Sequence, residues 1–166
     1  MENIQTQRLL LTKIDYCDTD FYLELVNTPA WLAYIGNRNI YSTLDAQNYI
    51  QAILDNPQTS YWTVHLKMDQ KPIGTISLIK REYLKAHDLG FAFLPHYMNK
   101  GYAYEAAHAV VEQLKKEGTH VLLYAATLPE NKSSIKLLMR LGFSFVEVIK
   151  PAGELLNVYQ LNLWEE

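Results

Sequence analysis

Apolar positions along the chain switch between two periods, and the switches mark its elements. Residues 7–14 (QRLLLTKI) form a short apolar run that predicts a first strand. Residues 18–27 predict a short helix, ended by the Thr28-Pro29 break. Ser42, with Asp45 three positions on, resembles a capping box. Ala46, Tyr49, Ile50, Ile53 and Leu54 then keep the i, i+3, i+4, i+7, i+8 spacing of an amphipathic helix, which Asn56-Pro57 ends. Two strand-like runs follow, over 61–68 and 73–80, joined by the polar turn Asp69-Gln70-Lys71-Pro72. A fourth strand is expected over 88–94. From 102 to 117 the helical spacing returns, with Ala103, Ala106, Ala107, Val110 and Leu114 on one face and Gly118 as the stop. Residues 120–127 are continuously apolar, as expected of a central strand covered on both faces. A helix over 133–141 and two terminal strands over 143–149 and 156–164, around Pro151-Ala152-Gly153, complete the pattern.

The predicted order is β-α-α-β-β-β-α-β-α-β-β, without internal repeat or linker, so residues 1–166 read as one domain of the α/β class. Its simplest packing is a mixed sheet with helices on both faces. Composition narrows the class further. A 49% hydrophobic share with 20% charged residues belongs to an ordinary globular protein. No apolar run approaches the ~20 residues of a membrane span, and the first eight residues lack the basic and apolar regions of a secretion signal. Cys17 is the only cysteine, which excludes an internal disulfide and a cysteine metal cluster and fits a cytoplasmic location. A net charge of −3 argues against a general nucleic-acid binder. Up to Trp62 there are three basic residues against seven acidic ones. That imbalance suits either the attraction of a cationic amine or ordinary solvated helix faces.

The candidate chemistry lies where the 88–94 strand turns into the 102–117 helix. At Asn99-Lys100-Gly101-Tyr102-Ala103 a chain reversal opens directly into the helix, leaving N–H groups without intrahelical acceptors in the positive potential of the dipole. Such a turn suits a diphosphate. Asn99 tolerates an unusual φ, and Gly101 permits close approach. The segment LPENKSSIKLLMRLGF (128–143) places Asn131 and Ser134 at the start of a second helix, closed by Gly142-Phe143.

Together these two segments resemble the cofactor-binding motifs of the GNAT superfamily of acetyl-CoA-dependent N-acetyltransferases. The opening Thr6-Gln-Arg-Leu-Leu-Leu11 and the stretch Trp31-Leu-Ala-Tyr-Ile-Gly36 look most like its ribosomal-protein N-terminal acetyltransferase branch. The resemblance implies the GNAT acyltransferase fold, with central strands that splay apart. It implies acetyl-CoA as co-substrate, no metal, and a primary amine acceptor, either a small molecule or a protein N-terminus. Neither nucleic acid nor membrane is expected as a partner, and a homodimer is left open. By the same resemblance, Asn99, Lys100, Gly101, Tyr102, Ala103 and Tyr104 would hold the diphosphate. The backbone of Phe91, Ala92 and Phe93 would pair with the pantetheine arm, and Asn131 would hydrogen-bond it.

Several positions depart from the family pattern. Met98 stands where Arg or Gln is usual and Asn99 where Gly is common; Ala126 replaces a Glu used as base by some relatives. Leu138 occupies the place of the Tyr that protonates the departing thiolate in many relatives, so Ser134 is the substitute acid that the resemblance suggests. Asp88 is the candidate base, with a structural role through Arg81 as the alternative; Glu105 reads as a dipole-complementing residue. The five histidines show no metal spacing. His65 and His120 fall in strand runs, and His87 and His96 flank the cofactor strand, where either could move protons. A non-catalytic acyl-CoA-binding module is the alternative these departures leave. A Rossmann enzyme is poorly supported, since no G-x-G-x-x-G follows an early strand.

Overall fold

The alternating runs between residues 59 and 79 become the centre of one eight-stranded sheet in the computed structural model, which describes residues 2–164. Met1, Glu165 and Glu166, the ends of the expected domain, lie outside the described residues. The strands are β1 (Ile4–Gln5), β2 (Leu9–Lys13), β3 (Thr59–Leu66), β4 (Pro72–Ile79), β5 (His87–Phe93), β6 (Leu122–Thr127), β7 (Ser144–Ile149) and β8 (Leu156–Asn162), ordered β1-β2-β3-β4-β5-β6-β8-β7. All pairs are antiparallel except β5 with β6, so the sheet is mixed, as expected.

Five helices flank it: α1 (Thr19–Leu25), α2 (Pro29–Tyr34), α3 (Thr43–Asp55), α4 (Tyr102–Glu117) and α5 (Lys132–Arg140). One sheet face buries Leu9, Trp62, Ile76 and Phe93 against Ala106, Val110 and Leu114 of α4. The other buries Tyr61 and Leu94 against Phe21, Leu25, Ile50 and Ile53 of α1 and α3. The α4 bounds agree with the helical spacing, although Ala103 is only partly buried. In α3, Ser42 caps the Asp45 N–H at 3.1 Å. The Asp45 carboxylate accepts from the Tyr41 N–H rather than from Ser42, so the box closes one residue early.

Three expectations need correction. The strand expected over 7–14 runs over 9–13 and is preceded by a two-residue strand, β1; a turn closed by Thr6 N–H to Leu9 C=O at 3.0 Å separates the two, with Thr6 and Arg8 drawn to Glu105 of α4. Thr28-Pro29 ends one helix but begins another. Proline at the first helical position loses no needed donor, and the Thr28 hydroxyl accepts the Trp31 N–H. The element order therefore gains β1 and α2. The His120 expectation also shifts, since that residue precedes β6.

The feature that positions the site is the parting of β5 from β6. They pair only at His87↔Leu123 and Asp88↔Tyr124, while β5 stays paired with β4 up to Gly74↔Phe93. Beyond Asp88 the main-chain groups of β5 that face β6 have no ladder partner.

Candidate active site

A cavity of about 880 Å³ opens at this fork. Its walls come from the N-terminus of α4, the open stretch of β5, the start of α5, and α2 with the loop after it. Of the predicted site residues, Asp88, Phe91, Ala92, Phe93, Asn99, Gly101, Tyr102, Ala103, Tyr104, Asn131 and Ser134 all line it. Lys100 does not. Its carbonyl accepts Arg8 Nη1–H at 3.1 Å and its ammonium lies 5.9 Å from the Tyr97 ring centre, so only its backbone belongs to the turn.

The turn into α4 has two residues in left-handed conformation, Asn99 (φ 59°) and Gly101 (φ 82°). The Asn99 conformation is the one its short polar side chain tolerates best among non-glycine residues. Gly101 is the N-cap, and no side chain caps the helix. The first intrahelical bond runs from Glu105 N–H to the Gly101 carbonyl, 3.1 Å. The N–H groups of Tyr102, Ala103 and Tyr104 are therefore left for a ligand, at the positive end of a 16-residue helix.

Arg8, which carried no local signal in the sequence, braces this turn. Its Nε meets Glu105 Oε2 at 2.7 Å, and its guanidinium lies 4.3 Å from the Tyr102 ring centre. A Cβ at Gly101 would stand 3.3 Å from Arg8 Nη2. Burial, the largest influence on the Glu105 carboxyl, would raise it. Hydrogen bonds from Thr6, the Arg8 amide and the Arg8 guanidinium together outweigh burial and hold it below its ordinary value. Glu105 thus ties β1 and β2 to α4 besides complementing the dipole.

In β5, Phe91 and Phe93 pack into the core while Ala92 faces the opposite side. Phe93 lies so close over Gly74 that a Cβ there would come within 2.3 Å of the ring. Gly90 likewise leaves room for the Ser77 hydroxyl, which a Cβ would approach to 2.6 Å. The two aromatic side chains anchor the strand and leave its open edge to the main chain.

Asn131 caps α5: its Oδ1 accepts the Ser134 N–H at 3.3 Å, which leaves its amide nitrogen available. The Ser134 hydroxyl makes no hydrogen bond among the described residues and lines the cavity. Leu138, where relatives carry Tyr, is 1% exposed and packs in the core.

Asp88 sits in the fork itself. Its Oδ1 accepts the Ala126 N–H at 3.1 Å, and its Oδ2 accepts Arg81 Nε–H at 3.2 Å. Ala126 is the β6 residue whose amide loses a ladder partner where the strands part, and the carboxylate replaces that partner. Burial raises the Asp88 carboxyl above its ordinary value, against the pull of Arg81 and the Ala126 amide. Each oxygen thus has one protein partner, the arrangement that the structural alternative through Arg81 requires, and the carboxylate keeps lone pairs for a further hydrogen bond.

The histidines stand apart. His87 and His120 meet ring to ring at 4.8 Å, and burial lowers both below the ordinary imidazole value. His96 packs on Tyr97 at 5.1 Å. None of the three lines the cavity. Among the described residues no group of three His, Cys, Asp or Glu could hold a metal, and no helix is long and apolar enough to cross a membrane.

The far end of the cavity is walled largely by aromatic side chains. Tyr34, Tyr61 and Tyr83 line it, with Arg38 and Glu154. Six of the twelve tyrosines lie on the cavity wall, so tyrosine enrichment is concentrated at the site. None of the acidic residues of the first 62 stands on that wall. Asp18, for example, is spent on the Thr63 hydroxyl and the Asp15 N–H.

Residues 8–144 match the family model described as acetyltransferase (GNAT) domain, and the chain belongs to that family. It is 28% identical, over 99% of its length and 98% of the relative's, to the uncharacterised N-acetyltransferase YnaD of Bacillus subtilis (strain 168). A crystal structure of a GNAT-family acetyltransferase from Bacillus anthracis shares the fold with a TM-score of 0.82 at 24% identity, covering 98% of this chain and 99% of that one. RimL, the ribosomal L7/L12 α-N-protein acetyltransferase solved with coenzyme A, gives a TM-score of 0.85 at 17% identity, covering 97% of this chain and 98% of its own. The protein is thus an acetyltransferase enzyme of the GNAT fold, and its family uses acetyl-CoA.

Proposed function

We propose that this GNAT-family enzyme, a single catalytic domain, transfers the acetyl group of acetyl-CoA to a primary amine by direct attack in a ternary complex. The observation that carries the reading is the continuity of one cavity. It joins an uncapped helix N-terminus, which suits a diphosphate, to an unpaired strand edge, which suits an amide-bearing arm. A solvent-open acceptor chamber lies beyond them.

In this reading the N–H groups of Tyr102–Tyr104 bind the diphosphate, and Asn131 Nδ2 donates to the pantetheine arm lying along Leu89–Phe93. A β5 N–H facing the fork polarises the thioester carbonyl as charge develops there. The acceptor nitrogen attacks the carbonyl carbon, the carbon–sulfur bond breaks, and the Ser134 hydroxyl gives its proton to the departing thiolate and regains one from water. The amine gives up its proton to water at the open end. Asp88, held by Arg81 and Ala126, is a positioning residue that keeps the fork open. Cys17 is exposed on the α1 side and does not line the cavity, so no thiol intermediate is invoked. A lone unpaired cysteine also suits the cytoplasmic location we assign.

The test is calorimetric titration of acetyl-CoA and CoA, followed by CoA release with peptide N-termini and small amines. Micromolar binding and amine-dependent release are expected. Binding without release for any amine would reduce the chain to an acyl-CoA-binding module.

A further inference from the structure

The acceptor end of the cavity carries a charge pattern that the transfer chemistry leaves unused. Besides the tyrosines, the cavity wall carries Arg38, the Arg81–Asp88 pair, Glu154, and Lys136 and Arg140 of α5; the last two belong with the opening of α4, where Arg140 lies 3.9 Å from the Tyr104 ring centre. Arg81 and Asp88 neutralise each other at 3.2 Å. Arg38 and Glu154 each make no hydrogen bond or ion pair among the described residues. An acceptor entering this end therefore meets one uncommitted cation and one uncommitted anion.

Arg38 is placed there by its loop. Gly36 turns the chain at φ +117°, a conformation that other residues adopt only with strain, and Arg38 folds back across it. A Cβ at Gly36 would lie 3.7 Å from Arg38 Nη1. Burial, with the Tyr61 and Tyr22 hydroxyls, holds the Tyr49 phenol above its ordinary value, and the Arg38 guanidinium opposes this only in part. The neighbouring wall is aromatic, from Trp31, Tyr34 and Tyr61.

We infer that Arg38 is a specificity-determining residue and that the acceptor is a primary amine carrying a carboxylate a few bonds from its nitrogen. A guanidinium offers a planar pair of donors that matches a carboxylate and binds other groups less well. With the carboxylate on Arg38, the amine points toward the open edge of β5 and the body of the acceptor rests on the aromatic wall. A free amino acid and an acidic residue at a peptide N-terminus both present this chemistry. The inference rests on the acetyl-transfer reading.

The experiment measures CoA release with matched probes: L-tyrosine against tyramine, and a glutamyl against a glutaminyl tetrapeptide amide. Native protein is expected to show a KM about tenfold lower for the carboxylate-bearing member of at least one pair. Which pair responds separates the free amino acid from the peptide. In Arg38→Ala the ratio should fall to about one, and Arg38→Lys, which keeps charge but loses the planar fork, should restore part of it. Equal use of both members by the native protein, or a preference that survives Arg38→Ala, would overturn the inference while leaving acetyl transfer intact. Calorimetric titration of the same probes onto the CoA complex gives an independent readout. Arg38-dependent carboxylate preference in binding, with no CoA released from any probe, would keep the inference and sink the transfer reading. Absence of both release and binding would overturn the two together.

Discussion

In the proposed function the two ends of the cavity would recognise their ligands by different means. At the cofactor end the contacts on offer are mostly main chain: the N–H groups that open α4, the unpaired edge of β5, and one capping amide at Asn131. At the acceptor end they are side chains, from Tyr34, Arg38, Tyr61, Tyr83 and Glu154. Main-chain recognition depends on backbone shape and tolerates Met98 and Asn99 where relatives carry other residues. Side-chain recognition changes with each substitution. The cofactor end therefore accounts for what this enzyme shares with its family, and the acceptor end for what would distinguish it.

The sharpest break in that contrast is Gly101→Glu. The residue would be strained at φ +82°, its Cβ would crowd Arg8 Nη2 at 3.3 Å, and its charge would oppose a diphosphate. Acetyl-CoA binding should weaken at least about a hundredfold, or ~2.7 kcal/mol, read by calorimetry. Unchanged affinity would mean that the turn is not the diphosphate site.

Asp88 follows, with an effect of similar size read in stability rather than in binding. Asp88→Ala leaves the Ala126 amide and the Arg81 guanidinium without their partner in the fork, which should cost about 3 kcal/mol in denaturant unfolding and raise the KM for acetyl-CoA. Asp88→Asn keeps an acceptor for Ala126 and should do less harm on both counts. Loss of about a thousandfold in kcat by Asp88→Asn, with stability and KM preserved, would make the carboxylate the base after all.

Ser134→Ala should lower kcat about tenfold with acetyl-CoA affinity retained, less than the ~10²–10⁴-fold typical of a well-matched acid, because a hydroxyl is a weak one. A variant with normal turnover would remove Ser134 from the mechanism.

The smallest effect concerns the brace. Glu105 has a folded-state carboxyl held below its ordinary value of 4.5, so its contribution is present above that pH and is lost as pH falls through the folded value. Glu105→Gln should cost about 1 kcal/mol at neutral pH, little because Arg8 is 42% exposed. The gap between native and variant unfolding midpoints should close on acidification. A gap that stayed constant with pH would mean that the carboxylate charge is not what holds the turn.

What could be read from the sequence was local. The spacing of Ala106, Ala107, Val110 and Leu114, the stop at Gly118 and the cap at Ser42 each depend on residues within a few positions, so the bounds of α4 and the start of α3 followed from them. The turn at residues 99–101 was legible because Asn and Gly are the residues that enter positive φ most readily. Tertiary structure decided whatever joins distant segments. Arg8 meets Glu105 across 97 positions, and Asp88 reaches Ala126 across 38. The first strand starts at Leu9 rather than residue 7 because Thr6 and Arg8 find partners on α4, and Asp88 bridges the fork because β5 and β6 part beside it. Arg38 reaches the cavity by a turn whose outcome depends on where α2 packs. Periodicity and caps are properties of a short stretch of chain. The partners of a charged side chain are set by the whole fold, which alone brings them within hydrogen-bonding reach.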